Sequence, residues 1–185
     1  MAMEPCDSTF LSAYYQGVDR LLNDAAPGAA SLSITVLPAY APEWGLRLVG
    51  NEVIRVRLDK SYWTEVAIQQ MRHPDATVAV APAFRPLAQR AVMDGDAVQR
   101  ILDRYRRAIA AAVPSGRVET DSVTYRITSP QAGSARMWAP EDDTPEAYLA
   151  EVIRLLADRV ELTTPKDLYN NQTQILSALR RSDVN

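Results

Sequence analysis

The run WAPEDDTPE, residues 138–146, holds the residues whose types and spacing come closest to a chemical site. Three consecutive carboxylates, Glu141, Asp142 and Asp143, stand between two prolines. Carboxylates bind cations, but calcium loops place them at alternate positions, with a glycine at the turn and a later bidentate glutamate. Here the acids are consecutive and no glycine lies among them. The spacing therefore does not predict a metal site.

The same run also has the features of a helix start. Thr144 is a candidate N-cap, Pro145 a first helical residue, and Glu146 an acid where the helix dipole favours negative charge. Pro140 ends the preceding strand, and Trp138 is expected to anchor the junction between strand and helix. These local features favour a structural interpretation of the run. Its carboxylates stay candidates for steering a partner protein.

A second group of candidates could act as an acid or a base. Glu43 lies beside Trp44, between Pro42 and Gly45, where a carboxylate would stand in apolar surroundings. Together with His73 and Tyr125 it could form the pocket of a small hydrolase-like enzyme. The competing interpretation is a strand-start acid beside a core tryptophan. The structural interpretation is favoured because the sequence places no second carboxylate or base where it would be expected to act together with Glu43.

The chain has one cysteine and one histidine, which limits the chemistry it can perform. Cys6 cannot form an internal disulfide, and with His73 alone it cannot complete a zinc site. A Cys6–His73 nucleophilic pair is disfavoured, because Cys6 lies in the N-terminal segment and His73 precedes Pro74 at an expected helix end. Phosphate-binding glycine loops, the nucleophile elbow and the His-Glu-x-x-His motif are all missing. The sequence predicts no catalytic residue, no metal and no cofactor.

The composition is that of an ordinary globular protein, with 47% hydrophobic and 23% charged residues. The net charge of −3 gives no electrostatic basis for binding nucleic acid. No apolar run approaches the roughly 18–20 residues of a transmembrane helix. The first residues lack the basic and apolar regions of a signal peptide. The expected location is the cytoplasm by default, or the periplasm if a signal peptide has been removed.

Hydrophobic spacing predicts an α+β fold, with an antiparallel sheet of about five strands and helices packed mainly on one face. The expected strands are 31–38, 45–50, 52–59, 122–128 and 134–138, and Gly50-Asn51 is expected to turn the second into the third. In that hairpin Val56 should be core, and Arg47, Arg55 and Arg57 should share a face that is solvated or covered by an acidic partner. A single domain spans 1–185, with residues 1–7 frayed and about 163–185 a C-terminal helical appendage.

One part of the chain resembles known proteins. Asp121, Thr124-Tyr125 and Met137-Trp138-Ala139-Pro140, followed by a long amphipathic helix, resemble a hairpin in small proteobacterial proteins. Some of those proteins are immunity partners of toxins delivered by bacterial secretion systems. The chain departs from the pattern in having Ala139 where serine is commoner, and no glycine after the aspartate.

The leading hypothesis is a non-enzymatic protein-binding protein, an immunity-type inhibitor that neutralises a bacterial toxin or effector by direct binding. The candidate partner-binding residues are Tyr40, Glu43, Trp44, Glu141, Asp142 and Asp143. The alternatives are the hydrolase-like enzyme and an envelope-associated ligand-binding accessory protein. An exposed patch of aromatics and acids favours a protein partner, whereas a deep pocket with convergent polar groups favours an enzyme.

Overall fold

The computed structural model describes residues 3–6, 12–68, 83–114 and 122–183. Its strands are β1 (Glu4–Pro5), β2 (Leu32–Leu37), β3 (Trp44–Val49), β4 (Glu52–Arg57), β5 (Leu87–Val92), β6 (Thr124–Ser129) and β7 (Gly133–Trp138). Its helices are α1 (Ser12–Ala25), α2 (Gly95–Ala110), α3 (Pro145–Arg159) and α4 (Pro165–Ser182), and a π-helical turn spans Trp63–Ala67. No helix of these ranges is both long enough and apolar enough to cross a bilayer.

The strands form one antiparallel sheet in the order β1-β7-β6-β2-β3-β4-β5. This confirms the predicted α+β class, and all five predicted strands are present. Two more strands extend the sheet at its ends. The first, β1, lies in the segment expected to be frayed: Glu4 pairs with Arg136 and Pro5 with Ala135, and Met3 is buried. Part of the segment expected to be frayed thus pairs with β7.

The other added strand, β5, was not predicted because it is an edge strand with exposed apolar residues. Leu87 and Val92 are 54% and 68% exposed, so the alternation typical of a half-buried strand is missing. Pro86 stands directly before it, at a strand position that proline tolerates. The weak strand predicted in the run ATVAVAPAF lies mostly outside the described residues.

The helices cover both faces of the sheet unequally. Three of the four described helices, α2, α3 and α4, pack on one face, and α1 with the π-helical turn packs on the other. This confirms the prediction that the helices lie mainly on one face. The segment predicted as a C-terminal appendage is α4, whose Ile175, Ala178 and Leu179 lie in the same hydrophobic cluster as the sheet residues.

The β3–β4 hairpin turns at Gly50, whose φ of 58° is left-handed, and at Asn51, as predicted. Its register pairs Arg47 with Ile54, so Arg47 faces α1 while Arg55 faces α3. The prediction that the three arginines share one face is wrong, because the two-residue turn places odd-numbered residues of β3 on the face of even-numbered residues of β4. Val56 is fully buried, as predicted.

Arg47 and Arg55 are covered by the chain itself, whereas Arg57 is exposed. Arg47 donates to the backbone oxygens of Ala26 and Gly28 at the end of α1. Arg55 donates to the backbone oxygen of Ala157 at 3.0 Å and pairs with Glu161. Of the two alternatives predicted for these arginines, solvent applies to Arg57, and the acid that pairs with Arg55 is Glu161 of the same chain, just after α3.

Candidate functional site

A groove of about 370 Å³ opens at one end of the sheet, on the face covered by α3. Trp44 and Tyr125 line it from the sheet, at the starts of β3 and β6. Val36 of β2 pairs with both residues, so the two rings flank one strand. The other lining residues come from α3 and the loop before it: Pro140, Asp142, Ala147, Ala150, Glu151, Ile153 and Arg154.

Two alanines of α3 leave room for the groove. Ala147 and Ala150 are three positions apart, so they lie on one side of the helix. Larger residues of the same helix, Leu149, Val152 and Ile153, are buried in the core. The helix is thus held against the sheet while its first turns stay clear of the aromatic residues.

The acidic run forms the loop that joins β7 to α3. Thr144 begins the helix as predicted, since its hydroxyl oxygen accepts the backbone N–H of Ala147 at 3.2 Å. Asp143 has a left-handed φ of 58° and accepts the Tyr148 hydroxyl at 3.2 Å. Glu141, Asp142 and Asp143 are all exposed, and Asp142 lines the groove. The run therefore begins a helix and also places carboxylates at the groove.

The other charged residues of the groove are paired within the protein. Glu151 accepts Arg181 at 2.7 Å, and Arg154 donates to Asp158 at 2.9 Å. Burial raises the pKa of Tyr125. Across the described ranges, no hydrogen bond engages the Tyr125 hydroxyl or the Trp44 indole N–H. The groove therefore offers two aromatic faces, two polar tips and the Asp142 carboxylate to a ligand.

The structure brings together some of the residues that the sequence proposed for contact with a partner and separates others. Trp44 and Asp142 share the groove, and Glu141 and Asp143 stand beside it. Tyr40 is 84% exposed in the loop between β2 and β3 but does not line the groove. Tyr125, considered only for the enzyme alternative, does line it. The α3 residues were missed, although the spacing of Ala147 and Ala150 was readable as a small-residue strip.

Glu43 is a structural residue and not a surface contact, which corrects its place among the partner-binding candidates. It has no exposed surface. Its oxygens accept the Tyr14 hydroxyl at 2.8 Å and the backbone N–H groups of Tyr62 and Trp63 at 2.7 and 3.0 Å. Burial, and then the nearby Glu43, raise the pKa of Tyr14. Glu43 thus joins α1 to the start of the π-helical turn.

The proposed enzyme pocket is not assembled by the described residues. Glu43 faces α1 and Tyr125 faces α3, so the sheet stands between them. His73 lies outside the described residues. Within the ranges that are described, no three His, Cys, Asp or Glu side chains come together in a way that could hold a metal ion.

A smaller cleft of about 40 Å³ lies on the α1 face, lined by Cys6, Tyr15, Arg126 and Arg136. It has room for about three or four water molecules, at roughly 10–15 Å³ each. Arg126 pairs with Asp19 at 2.7 Å and Arg136 with Glu4 at 3.2 Å. Burial is the largest effect on the Cys6 thiol and raises its pKa, although both arginines act against it. This cleft offers no excess positive charge to an anion.

The hairpin on which the sequence resemblance rests is formed by β6 and β7, with Trp138 buried at its end. Asp121, the first residue of that pattern, lies outside the described residues. The resemblance itself stays a prediction. In comparisons with known proteins, no family model, no curated protein and no solved structure matches this chain.

Proposed function

We propose that this chain is a non-enzymatic protein that binds another protein through the groove, in the manner of an immunity-type inhibitor of a bacterial toxin or effector. The observation that carries the proposal is that Trp44 and Asp142 share one exposed groove. Tryptophan and tyrosine are enriched among the residues that dominate interface energies. Acidic residues at the rim act mainly on the rate and specificity of encounter.

The roles of the groove residues follow from their burial. Trp44 and Tyr125 are half-buried and held by the sheet, so little side-chain entropy is lost when a partner covers them. Glu141 and Asp142 are exposed and free to steer a basic surface. An inhibitor needs only such a rigid, complementary surface, and no reactive group.

The test compares immobilised wild-type protein with two groove variants. Glu141→Lys/Asp142→Lys reverses the rim charge, and Trp44→Leu removes an aromatic wall while keeping an apolar side chain. Asp143 is left unchanged because its left-handed backbone suits aspartate better than lysine. The matched control is Asp24→Lys/Asp103→Lys, which reverses two exposed acids away from the groove. Thermal melts establish that every variant is folded.

We expect one protein from a bacterial lysate to be retained by wild type and control but lost by the groove variants. Its association with Glu141→Lys/Asp142→Lys should be slower and less dependent on salt, because steering is screened by ions. Trp44→Leu should speed dissociation, with a loss of about 2 kcal/mol or more for a central anchor. A partner that binds all variants equally would show that the groove is not the binding surface.

A further inference from the structure

The strand register sets the width of the groove. Trp44 and Tyr125 both pair with Val36, one on each side of β2. Neighbouring strands lie about 4.8 Å apart, so the two backbones are separated by about 10 Å. Val36 itself is buried between them and does not line the groove, so a ligand meets the two rings from the groove side. An aromatic face attracts a cation within ~6 Å of its centre.

The groove also carries negative charge that the described part of the protein does not neutralise. Arg181 engages Glu151, and Asp158 engages Arg154. Asp142 is exposed, and no ion pair joins it to another described residue. Glu141 and Asp143 extend the same charge along the loop. The groove thus favours a cationic occupant over an anionic or neutral one.

Among the described residues, the fold already combines these groups in four other places, once with Lys60, which lies 5.3 Å from the Phe84 ring centre and pairs with Glu65, and three times with an arginine. Arg126 lies 4.6 Å from the Tyr15 ring centre and pairs with Asp19. Arg136 lies 4.8 Å from the Trp138 ring centre and pairs with Glu4.

The third arginine case borders the groove itself, where Arg181 lies 4.4 Å from the Tyr148 ring centre and pairs with Glu151. In all three cases one arginine contacts an aromatic ring and a carboxylate together. Trp44, Tyr125 and Asp142 supply the rings and the carboxylate of the same arrangement.

We propose that the groove takes one arginine side chain of the protein partner, with its guanidinium against the aromatic lining formed by Trp44 and Tyr125 and its charge facing Asp142. This rests on the proposed function, because it names the chemistry of the partner at the same groove. Arginine fits better than lysine, since its planar group stacks on aromatic faces, is more weakly hydrated and forms forked hydrogen bonds with carboxylates.

Three small probes separate shape from charge. All three are amino-acid amides acetylated at the α-nitrogen. The arginine probe carries the guanidinium, the citrulline probe has nearly the same shape without charge, and the lysine probe has a charged ammonium without the planar group. The protein contains three tryptophans, so ¹⁵N-labelled material gives three indole signals, from Trp44, Trp63 and Trp138. Trp63 and Trp138 do not line the groove and serve as internal references.

We expect the arginine probe to shift the Trp44 signal in a saturable way, in the millimolar range, and to leave the other two unchanged. Citrulline should bind at least about five-fold more weakly, and lysine should fall between them. Asp142→Asn should weaken arginine binding several-fold, whereas Asp24→Asn, an exposed acid of α1, should not. The probe should also compete with the captured partner.

The proposal would be overturned by the absence of a saturable shift of Trp44, or by equal binding of arginine and citrulline. Neither would overturn the proposed function if the captured partner is still lost in the groove variants. Conversely, a captured partner that binds the groove variants as tightly as wild type overturns the proposed function. The arginine titration is then judged independently of that result. A response of all three indole signals would indicate non-specific binding and would also overturn the proposal.

Discussion

The Tyr14 hydroxyl donates a 2.8 Å hydrogen bond to the fully buried Glu43 carboxylate and so ties α1 to the loop before β3. The same carboxylate accepts the backbone N–H of Tyr62 at 2.7 Å. Glu43 has no exposed surface, and the three groups that donate to it are buried or partly buried. A buried polar group left without its hydrogen bond costs about 1–3 kcal/mol.

Glu43→Ala should therefore lower the free energy of unfolding by about 3 kcal/mol or more, since it leaves one hydroxyl and two backbone N–H groups without an acceptor. Urea unfolding measures the change. The matched control is Glu52→Ala, whose pair with Arg90 is exposed and should contribute less than about 1 kcal/mol. Equal losses in the two variants would show that the Glu43 hydrogen bonds do not stabilise the fold.

Val56→Asp should cost about 4 kcal/mol or more, because Val56 has no exposed surface and an aspartate there would be a buried, unpaired charge. Val92→Asp is the control, since Val92 lies on the same face of the neighbouring edge strand and is 68% exposed. It should change stability by less than about 1 kcal/mol. Denaturant melts of both variants test whether β4 has the register described.

Gly45→Ala should destabilise the protein by about 2 kcal/mol, because a β-carbon at this position would lie 2.9 Å from the backbone oxygen of Ile34. Gly95→Ala at the start of α2 should be neutral or stabilising by up to about 1 kcal/mol, since its nearest neighbour would be an Asn51 side-chain atom at 3.4 Å. Thermal melts of the Gly45→Ala and Gly95→Ala variants measure the two changes in stability. A harmless Gly45→Ala would mean that β2 and β3 can move apart.

Stability should fall at alkaline pH partly through Tyr105. Burial raises the pKa of Tyr105 well above its usual value, and its hydroxyl donates to the Leu149 backbone oxygen at 2.8 Å. The unfolded chain releases the proton above about pH 10, while the folded protein keeps it. The contribution of Tyr105 is thus complete below pH 10 and is lost as pH rises towards the folded pKa, at about 1.4 kcal/mol per pH unit.

Urea melts between pH 8 and about pH 11 measure this slope, and Tyr105→Phe should make it shallower by about 1.4 kcal/mol per unit. Tyr169→Phe provides the control, because Tyr169 is 73% exposed and should leave the slope unchanged. An unaltered slope in Tyr105→Phe would contradict the prediction, because it would mean that Tyr105 releases its proton at the same pH in the folded and unfolded states.

The parts of the fold that were predictable carry their own local signals. The β3–β4 hairpin follows from Gly50-Asn51 between two alternating runs, and the start of α3 follows from Thr144-Pro145. Strand β5 carries no such signal. Leu87 and Val92 are exposed, and the strand is held by its pairing with β4, which is not encoded within its own six residues.

Individual residues of the candidate site could be predicted from the sequence, but not that they lie side by side in one groove. Trp44 and Asp142 stood out separately, one as an aromatic residue in a loop and the other as part of an acidic run. Their meeting depends on the pairing of Val36 with both Trp44 and Tyr125, which joins distant parts of the chain. The burial of Glu43 depends in the same way on α1, which lies far from it in sequence.

The strand order has a consequence for the time course of folding. Strands β3, β4 and β5 each pair with the strand before them in sequence, and β6 and β7 form a hairpin of their own. Among the described strands, only the ladder between β2 and β6 joins these two units in the middle of the sheet. Closing it requires a long loop of chain, with an entropic cost that slows folding. During synthesis, strands β2 to β5 therefore leave one edge of β2 unpaired until β6 and β7 have emerged from the ribosome.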